Sequence, residues 1–166
     1  MRIGSVELKG GNKDYIVFPR PEGDVVIWAQ TVRDFKEFEA LVKYPIAPVI
    51  QTKEGKKSDT KDPSYRDLVK IYDDQRFAYL CIKSLEPSDI EWNEVNLDNP
   101  RTYVKWIEEL LEAGLSEVEC NRIIGLVLQV NSLDEAKLQA AREHFARGQG
   151  QAASESSGQS TEPQST

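Results

Sequence analysis

The sequence is poor in the residues that metal sites and many nucleophilic active sites use. Its 166 residues include two cysteines, Cys81 and Cys120, and one histidine, His144. The cysteines lie far apart in apolar, helical stretches, so we expect buried free thiols in a reducing compartment. No cysteine or second histidine stands at ligand spacing from His144, which we place in the last turn of a helix. We therefore expect no bound metal and no cofactor.

Long apolar runs are also missing. The longest uninterrupted run, residues 123–128, has six residues, whereas a membrane-spanning helix needs ~20. The first ten residues carry Arg2, Glu7 and Lys9 and contain no apolar segment of the kind found in secretory signals. We therefore expect a protein of the cytoplasm with no membrane partner.

Basic residues are outnumbered by acidic ones. The chain has 21 Lys and Arg against 28 Asp and Glu, which gives a formal charge of −7. Because a nucleic-acid surface needs clustered Lys and Arg, this balance argues against a nucleic-acid partner. Segment 51–61 contains four lysines and no apolar residue. We interpret it as a mobile surface loop and not as a basic binding patch.

Sequence motifs of common enzymes are absent as well. There is no G-x-S-x-G motif, and the glycines at 10–11 and 148–150 do not lie between a strand and a helix, as those of phosphate-binding loops do. Carboxylates are plentiful, but abundance alone does not identify an acid and base pair. We expect no enzymatic activity.

The N-terminal residues 1–30 predict a small β-meander. Runs rich in β-branched and aromatic residues are separated by turn-forming segments at 9–12 and 19–24, and the runs are 3–8, 15–18 and 25–28. Three strands this short bury little area, so we expect them to pack on helices.

Five helices are predicted after the meander. Hydrophobic periodicity and end signals place them at 32–42, 63–85, 100–114, 116–131 and 132–147. Asp62-Pro63 and Asn99-Pro100 each give an N-cap followed by proline at the first helical position. Ser116 and Ser132 each open an S-x-x-E capping box. We expect the aromatic residues of helix 63–85 to lie in the core, and residues 86–99 to form an irregular connection.

The C-terminal residues 148–166 have no large apolar side chain. Such a segment cannot offset its ordering entropy, so we predict disorder. The predicted fold class is α+β: a small N-terminal β-meander followed by a mainly α-helical region of about five helices and a disordered C-terminal tail. The matching division is a β-meander packed on the helical part at 1–30, a helical domain at 31–147 and the tail at 148–166.

Acidic residues concentrate between Ser84 and Cys120. That stretch has ten acids against two basic residues. One interpretation is acids favoured at helix starts together with solvated helix faces. The other is a surface that steers a basic, helical partner toward neighbouring apolar groups, with tryptophans among them. Under the second interpretation the partner-binding residues are Trp92, Glu94, Trp106, Glu109 and Glu112.

A series of short motifs runs along the chain. They are KDP at 61–63, EW at 91–92, DNP at 98–100, EL at 109–110, AGLS at 113–116, NRI at 121–123, NSL at 131–133 and AREHF at 141–145. In this order they resemble a family of small proteins from the tail-gene clusters of long-tailed bacteriophages, usually taken to be tail assembly chaperones. The resemblance covers most of residues 5–147.

The resemblance implies a non-catalytic protein of the host cytoplasm. Such chaperones bind the tape-measure protein before tail-tube subunits polymerise around it, and they are absent from the finished particle. The implied partners are the tape-measure protein and the tail-tube protein. Two alternatives stay open: a phage structural protein, such as a minor tail or head-tail completion protein, and a phage-encoded protein that binds a host factor.

Overall fold

The computed structural model of the chain describes residues 2–3, 6–7, 10–132, 135–136, 138–140 and 142–143. The chain divides into two compact units, one ending at Asn131 and one beginning at Ser132. The α+β class is confirmed, because short strands precede a mainly helical region. His144 and the predicted disordered tail, residues 148–166, lie outside the described residues. The predicted domain boundaries stay predictions.

Strands in the described residues pair in antiparallel hairpins, each of which is its own two-stranded sheet. The pairs are β1 (Arg2–Ile3) with β2 (Val6–Glu7), β3 (Lys13–Phe18) with β4 (Val25–Gln30), and β5 (Val49–Thr52) with β6 (Gly55–Ser58). The β3–β4 hairpin buries alternate residues, so one of its faces belongs to the core.

The pairing of the first strands differs from the predicted meander. The described residues β1 and β2 pair with each other, and β3 pairs with β4. Gly10 has a φ of +133°, which suits the predicted turn, whereas Gly11 has a packing role because a Cβ there would lie 2.6 Å from the Cβ of Thr31. The Thr31 N–H donates to the Asn12 carbonyl at 2.9 Å. Gly11 therefore permits a close approach between the start of β3 and the chain leaving β4.

Segment 51–61 is largely a β-hairpin, which corrects the prediction of a loop. The β5–β6 register runs from Val49 opposite Ser58 to Thr52 opposite Gly55. The Thr52 hydroxyl donates to the Gly55 carbonyl at 2.7 Å, and Gly55 has a φ of +116° that favours glycine. The hairpin is held by its turn and by backbone pairing and not by apolar side chains. Its charged composition therefore did not predict strands.

The helices of the first unit follow the predicted order. They are α1 (Lys36–Leu41), α2 (Pro63–Ser84), α3 (Trp106–Glu112) and α4 (Glu117–Val130), with 3-10 helices at Glu86–Ser88 and Pro100–Lys105. The predicted helix 100–114 is thus a 3-10 turn that continues as α3. Helix α1 starts later than predicted, and before it the Val32 N–H donates to the Asn131 side chain at 2.8 Å. In the second unit, the described residues 135–136, 138–140 and 142–143 are helical.

Helix ends form at the predicted signals Asp62, Ser116 and Gly114, whereas the predicted capping box that opens at Ser132 lies partly outside the described residues. The Asp62 carboxylate accepts the Tyr65 N–H at 2.8 Å, with Pro63 as the first helical residue of α2. At α4 both halves of the capping box between Ser116 and Glu119 are present. Gly114, at a φ of +98°, closes α3 in the left-handed region that glycine tolerates.

The core centres on the second half of α2. There, Tyr79, Cys81 and Ile82 are buried. Buried residues of the β3–β4 hairpin, of α1, α3 and α4 and of the 3-10 helix Pro100–Lys105 surround them. These include Phe18, Ile27, Ala29, Phe38, Tyr103, Leu110, Ile123, Val127 and Val130. Tyr79 contacts the rings of Phe38 and Tyr103 at centroid distances of 5.5 and 5.9 Å. The prediction that the aromatic residues of this helix serve the core is confirmed for Tyr72 and Tyr79.

Candidate protein-interaction surfaces

The two tryptophans of the acidic segment do not form a surface centre. Trp106 is only 3% exposed and belongs to the core beneath α3. Trp92 is half-buried and packs against that core. In this fold Trp106 has no free surface to offer a partner, and Trp92 offers only part of its ring.

Glu109 is engaged inside the molecule. Its carboxylate accepts backbone N–H groups from Asn93 at 2.6 Å, Glu94 at 2.9 Å and Val95 at 2.7 Å. The side chain is also largely covered, with Glu109 9% exposed. Since charge-assisted hydrogen bonds are the stronger kind, this one carboxylate fixes the irregular segment 93–95 against α3.

The other two predicted acids remain on the surface. Glu94 is exposed and pairs with Lys105. Glu112, the last residue of α3, is exposed. Partner binding by Trp92, Glu94, Trp106, Glu109 and Glu112 stays a prediction. Of these five side chains, Glu94 and Glu112 are the ones exposed to a partner.

The ten acids between Ser84 and Cys120 divide into two sets. Four are engaged within the chain: Glu86 with Lys83, Glu94 with Lys105, Glu109 with three amides and Glu119 with Arg20. The remaining six are exposed: Asp89, Glu91, Asp98, Glu108, Glu112 and Glu117. None of these six forms an ion pair with another described residue.

The pair between Glu119 and Arg20 joins the β3–β4 connection to the start of α4. The guanidinium lies 2.7 and 2.8 Å from the two carboxylate oxygens. Arg20, followed by the backbone N–H of Ser116, lowers the pKa of Glu119 to about 2. Glu119 is therefore a structural anion at neutral pH.

Exposed apolar side chains accompany the free acids on α3 and α4. Val104 is 57% exposed, Leu111 37% and Val118 64%. Glu108 and Leu111 are three residues apart on α3 and therefore share one side of it, and Val104 lies one turn before Glu108 in the 3-10 helix that leads into α3. Trp106 and Leu110, in contrast, are buried. Acid and apolar groups thus share the outer side of α3.

A second exposed apolar surface lies on the first half of α2. Leu68 and Ile71 are each 53% exposed. Continuing at helical spacing along the same side, Gln75 donates to the Pro100 carbonyl at 3.4 Å, and Ala78 and Ile82 are buried. We call Leu68 and Ile71 the uncovered stripe, because the rest of the fold covers this side of α2 only from Gln75 onward.

The segment after α1 adds apolar groups beside this half of α2. The ring of Tyr44 meets that of Tyr72 edge-on at 4.9 Å between centroids and is 55% exposed. Ile46 is 92% exposed. Scattered exposed apolar residues are normal on proteins, whereas several on one region indicate an interaction surface.

The outer face of the β3–β4 hairpin is a third such region. Tyr15 and Trp28 pair across the strands at 4.6 Å between ring centroids, and Lys13 lies over the Trp28 ring at 4.9 Å. Val17 and Val26, also opposite each other, are each 40% exposed. The face is apolar and small.

A cleft of about 470 Å³ lies between the β3–β4 hairpin, α1 and α2. At its floor Lys83 bridges Glu86 at 2.7 Å and Glu37 at 3.1 Å, and the Tyr79 hydroxyl donates to Glu37. Hydrogen bonds to Glu86 and Glu37 raise the pKa of Lys83, so the amine stays protonated and is a poor nucleophile. Burial, then Glu37, raises the pKa of Tyr79 to about 12. These groups stabilise one another.

Both cysteines are buried free thiols, as predicted. Burial raises the pKa of Cys81 to about 12 and also raises that of Cys120, which leaves both thiols protonated and unreactive. Within the described ranges, no three His, Cys, Asp or Glu side chains gather as metal ligands do. No helix in the same ranges has the length and apolar character that a bilayer crossing requires.

Sequence reasoning did not single out the uncovered stripe or the exposed valines. Periodicity groups Leu68 and Ile71 with the buried side of α2, and it cannot show where the covering elements end. Comparison of the chain with protein-family models, with curated proteins and with solved structures finds no match.

Proposed function

We propose that this protein is a tail assembly chaperone of a long-tailed bacteriophage, which binds the tape-measure protein and keeps it soluble for tail-tube assembly. The order of motifs from KDP at 61–63 to AREHF at 141–145 supports the proposal through its resemblance to that family. On this proposal, the protein acts in the host cytoplasm and binds its client reversibly.

The observation that carries the proposal is the uncovered stripe. A helix that continues its apolar side beyond its own core exposes that side for another helix, which is a common mode of recognition. Leu68 and Ile71, on the same side as the buried Ala78 and Ile82, fit that description. A long, amphipathic client would cover them in the complex.

The size of the stripe suits transient binding. Two half-exposed aliphatic side chains bury little area, at roughly 25 cal/mol per Å² of apolar surface. Affinity per site would be modest, so several copies along one elongated client would be needed to shield its apolar stripes. Modest affinity also allows competing tail-tube subunits to displace the chaperone.

Co-expression with the tape-measure protein encoded in the same tail-gene cluster tests the proposal. We expect the client to stay in the soluble fraction and to be retained with the chaperone during purification. An insoluble client with no retained complex would reject it. Mass spectrometry of purified virions separates the alternatives, because a chaperone should be missing there and a structural tail protein should be present.

A further inference from the structure

The outer side of α3 has a charge arrangement that its own helix does not favour. Glu108 and Glu112 are four residues apart, so the two carboxylates are neighbours of like charge, which destabilises a helix. Glu112 is also the last residue of α3, where the helix dipole is negative, and the last turn has no basic residue. The helix dipole therefore explains why an acidic residue stands at Glu108, in the first turn, but not why one stands at Glu112.

The apolar neighbours of these acids are also exposed. Val104 precedes Glu108 by one turn and Leu111 follows it on the same side, while Val118 and Glu117 lie on the first turn of α4. The connection between α3 and α4 is tight, since the Leu115 N–H donates to the Leu110 carbonyl at 3.1 Å.

The free acids beside apolar groups differ from the other acids of the segment. Glu86, Glu94, Glu109 and Glu119 already have cationic or amide partners inside the chain. Glu108, Glu112 and Glu117 have no cationic partner among the described residues. Their negative charges are thus available to an external cation.

We propose that the exposed acids and apolar groups of α3, of the 3-10 helix before it and of the first turn of α4 bind a basic amphipathic helix. We call this surface the acidic α3 face; its residues are Val104, Glu108, Leu111, Glu112, Glu117 and Val118. The occupant carries an apolar stripe that covers the two valines and Leu111, bordered by Lys or Arg that neutralise the three carboxylates. Charge complementarity supports this occupant, because a cation between Glu108 and Glu112 removes the repulsion within α3. This inference rests on the proposed function, because it specifies the chemistry of the segment of the tape-measure protein that the acidic α3 face would bind.

A fluorescence anisotropy titration with synthetic peptides tests the inference on the purified full chain. The probe is a labelled helical peptide with Leu at i, i+3, i+4 and i+7 and Lys beside them. Two comparison peptides are one with Glu in place of each Lys and one that scrambles the Lys peptide without changing its composition. We expect the chain to bind the Lys peptide and to bind both others far more weakly.

A matched pair of variants then locates the binding. One variant carries Glu108→Gln, Glu112→Gln and Glu117→Gln; the other carries Asp89→Asn, Glu91→Gln and Asp98→Asn. Both remove three exposed negative charges from the same acidic segment. We expect the first to weaken binding of the Lys peptide about tenfold and the second to leave it within about twofold, since three peripheral ion pairs are worth that much together.

Each other outcome overturns the inference. Equal weakening by both variants, or equal binding of the scrambled peptide, would mean that net charge alone attracts the probe. Failure of the unmodified chain to bind the Lys peptide would also reject it. A chain that retains the co-expressed tape-measure protein equally well with and without the three α3 substitutions keeps the proposed function and loses this inference. Loss of the client by the unmodified chain rejects the proposed function itself.

Discussion

At the scale of single residues, the acids of segment 84–120 differ in what their carboxylates contact. Glu109 and Glu112 are three residues apart and look equivalent in sequence. One lies against three backbone amides, and the other is exposed at the end of a helix. The difference comes from the irregular segment 93–95, whose approach to α3 no local pattern predicts. The predicted partner-binding set therefore mixes structural with surface residues.

The role of Glu109 leads to a stability prediction. Replacing it in a Glu109→Ala variant removes the acceptor for three N–H groups, so we expect the free energy of unfolding to fall by about 2–3 kcal/mol. Urea denaturation followed by circular dichroism measures the change. The exposed Glu112→Ala serves as the control and should stay within about 0.5 kcal/mol. Equal effects of the two substitutions would contradict the structural role.

The pair between Arg20 and Glu119 predicts a pH dependence. The pKa of Glu119 is about 2 in the folded chain, below its ordinary value of 4.5. Between these values the unfolded chain takes up a proton that the folded chain does not, so the contribution to stability is present above pH 4.5 and lost as the pH falls toward 2. A Glu119→Gln variant should lack this loss.

Urea midpoints measured from pH 7 to pH 2 test the prediction. The unmodified chain should lose more stability than Glu119→Gln on acidification, and the two curves should converge near pH 2. Glu117→Gln, which changes an exposed acid on the same turn, is the control and should parallel the unmodified chain. Parallel curves for the unmodified chain and Glu119→Gln would contradict a lowered pKa of Glu119 in the folded chain.

At the scale of elements, the sequence predicts best where a local signal has a fixed geometry. Asp62-Pro63, Asn99-Pro100 and the capping box at Ser116 all mark helix starts, because each signal satisfies amides within its own turn. Strand pairing is less local. The β5–β6 hairpin is charged and exposed, and the partner of β3 depends on the close approach of Gly11 to Thr31. Neither amino-acid composition nor the alternation of apolar residues predicts these strand pairings and close approaches.

The N-cap of α2 gives an element-scale prediction. The first half of this helix has few covering elements, so its stability depends more than usual on Asp62. In an Asp62→Ala variant we expect the free energy of unfolding to fall by about 1 kcal/mol and amide hydrogen exchange to become faster over residues 64–70, with little change in the buried second half. Uniform acceleration along the whole helix, or no acceleration, would contradict this account.

At the scale of the whole molecule, a core around the second half of α2 takes up apolar residues from the β3–β4 hairpin and from every α-helix of the first unit. Exposed apolar side chains remain at several places in the described residues, and those on α2 and beside the acids of α3 are the ones that our proposals assign to a partner. The sequence predicted an acidic surface with apolar neighbours, and it did so from composition. The sequence alone could not show that Trp106 is buried and Val104 is exposed, because burial depends on which elements pack together.

The most direct test of the binding account is the retention of the tape-measure protein by a stripe variant. Leu68→Ser combined with Ile71→Ser leaves the core intact, since both side chains are half-exposed. Val49→Ser combined with Ile50→Ser removes a similar exposed pair from β5, outside the proposed binding surfaces, and is the control. We expect affinity capture after co-expression to recover the client with the unmodified chain and with the control, and to recover at least about tenfold less with the stripe variant. Equal recovery with all three folded chains would contradict it.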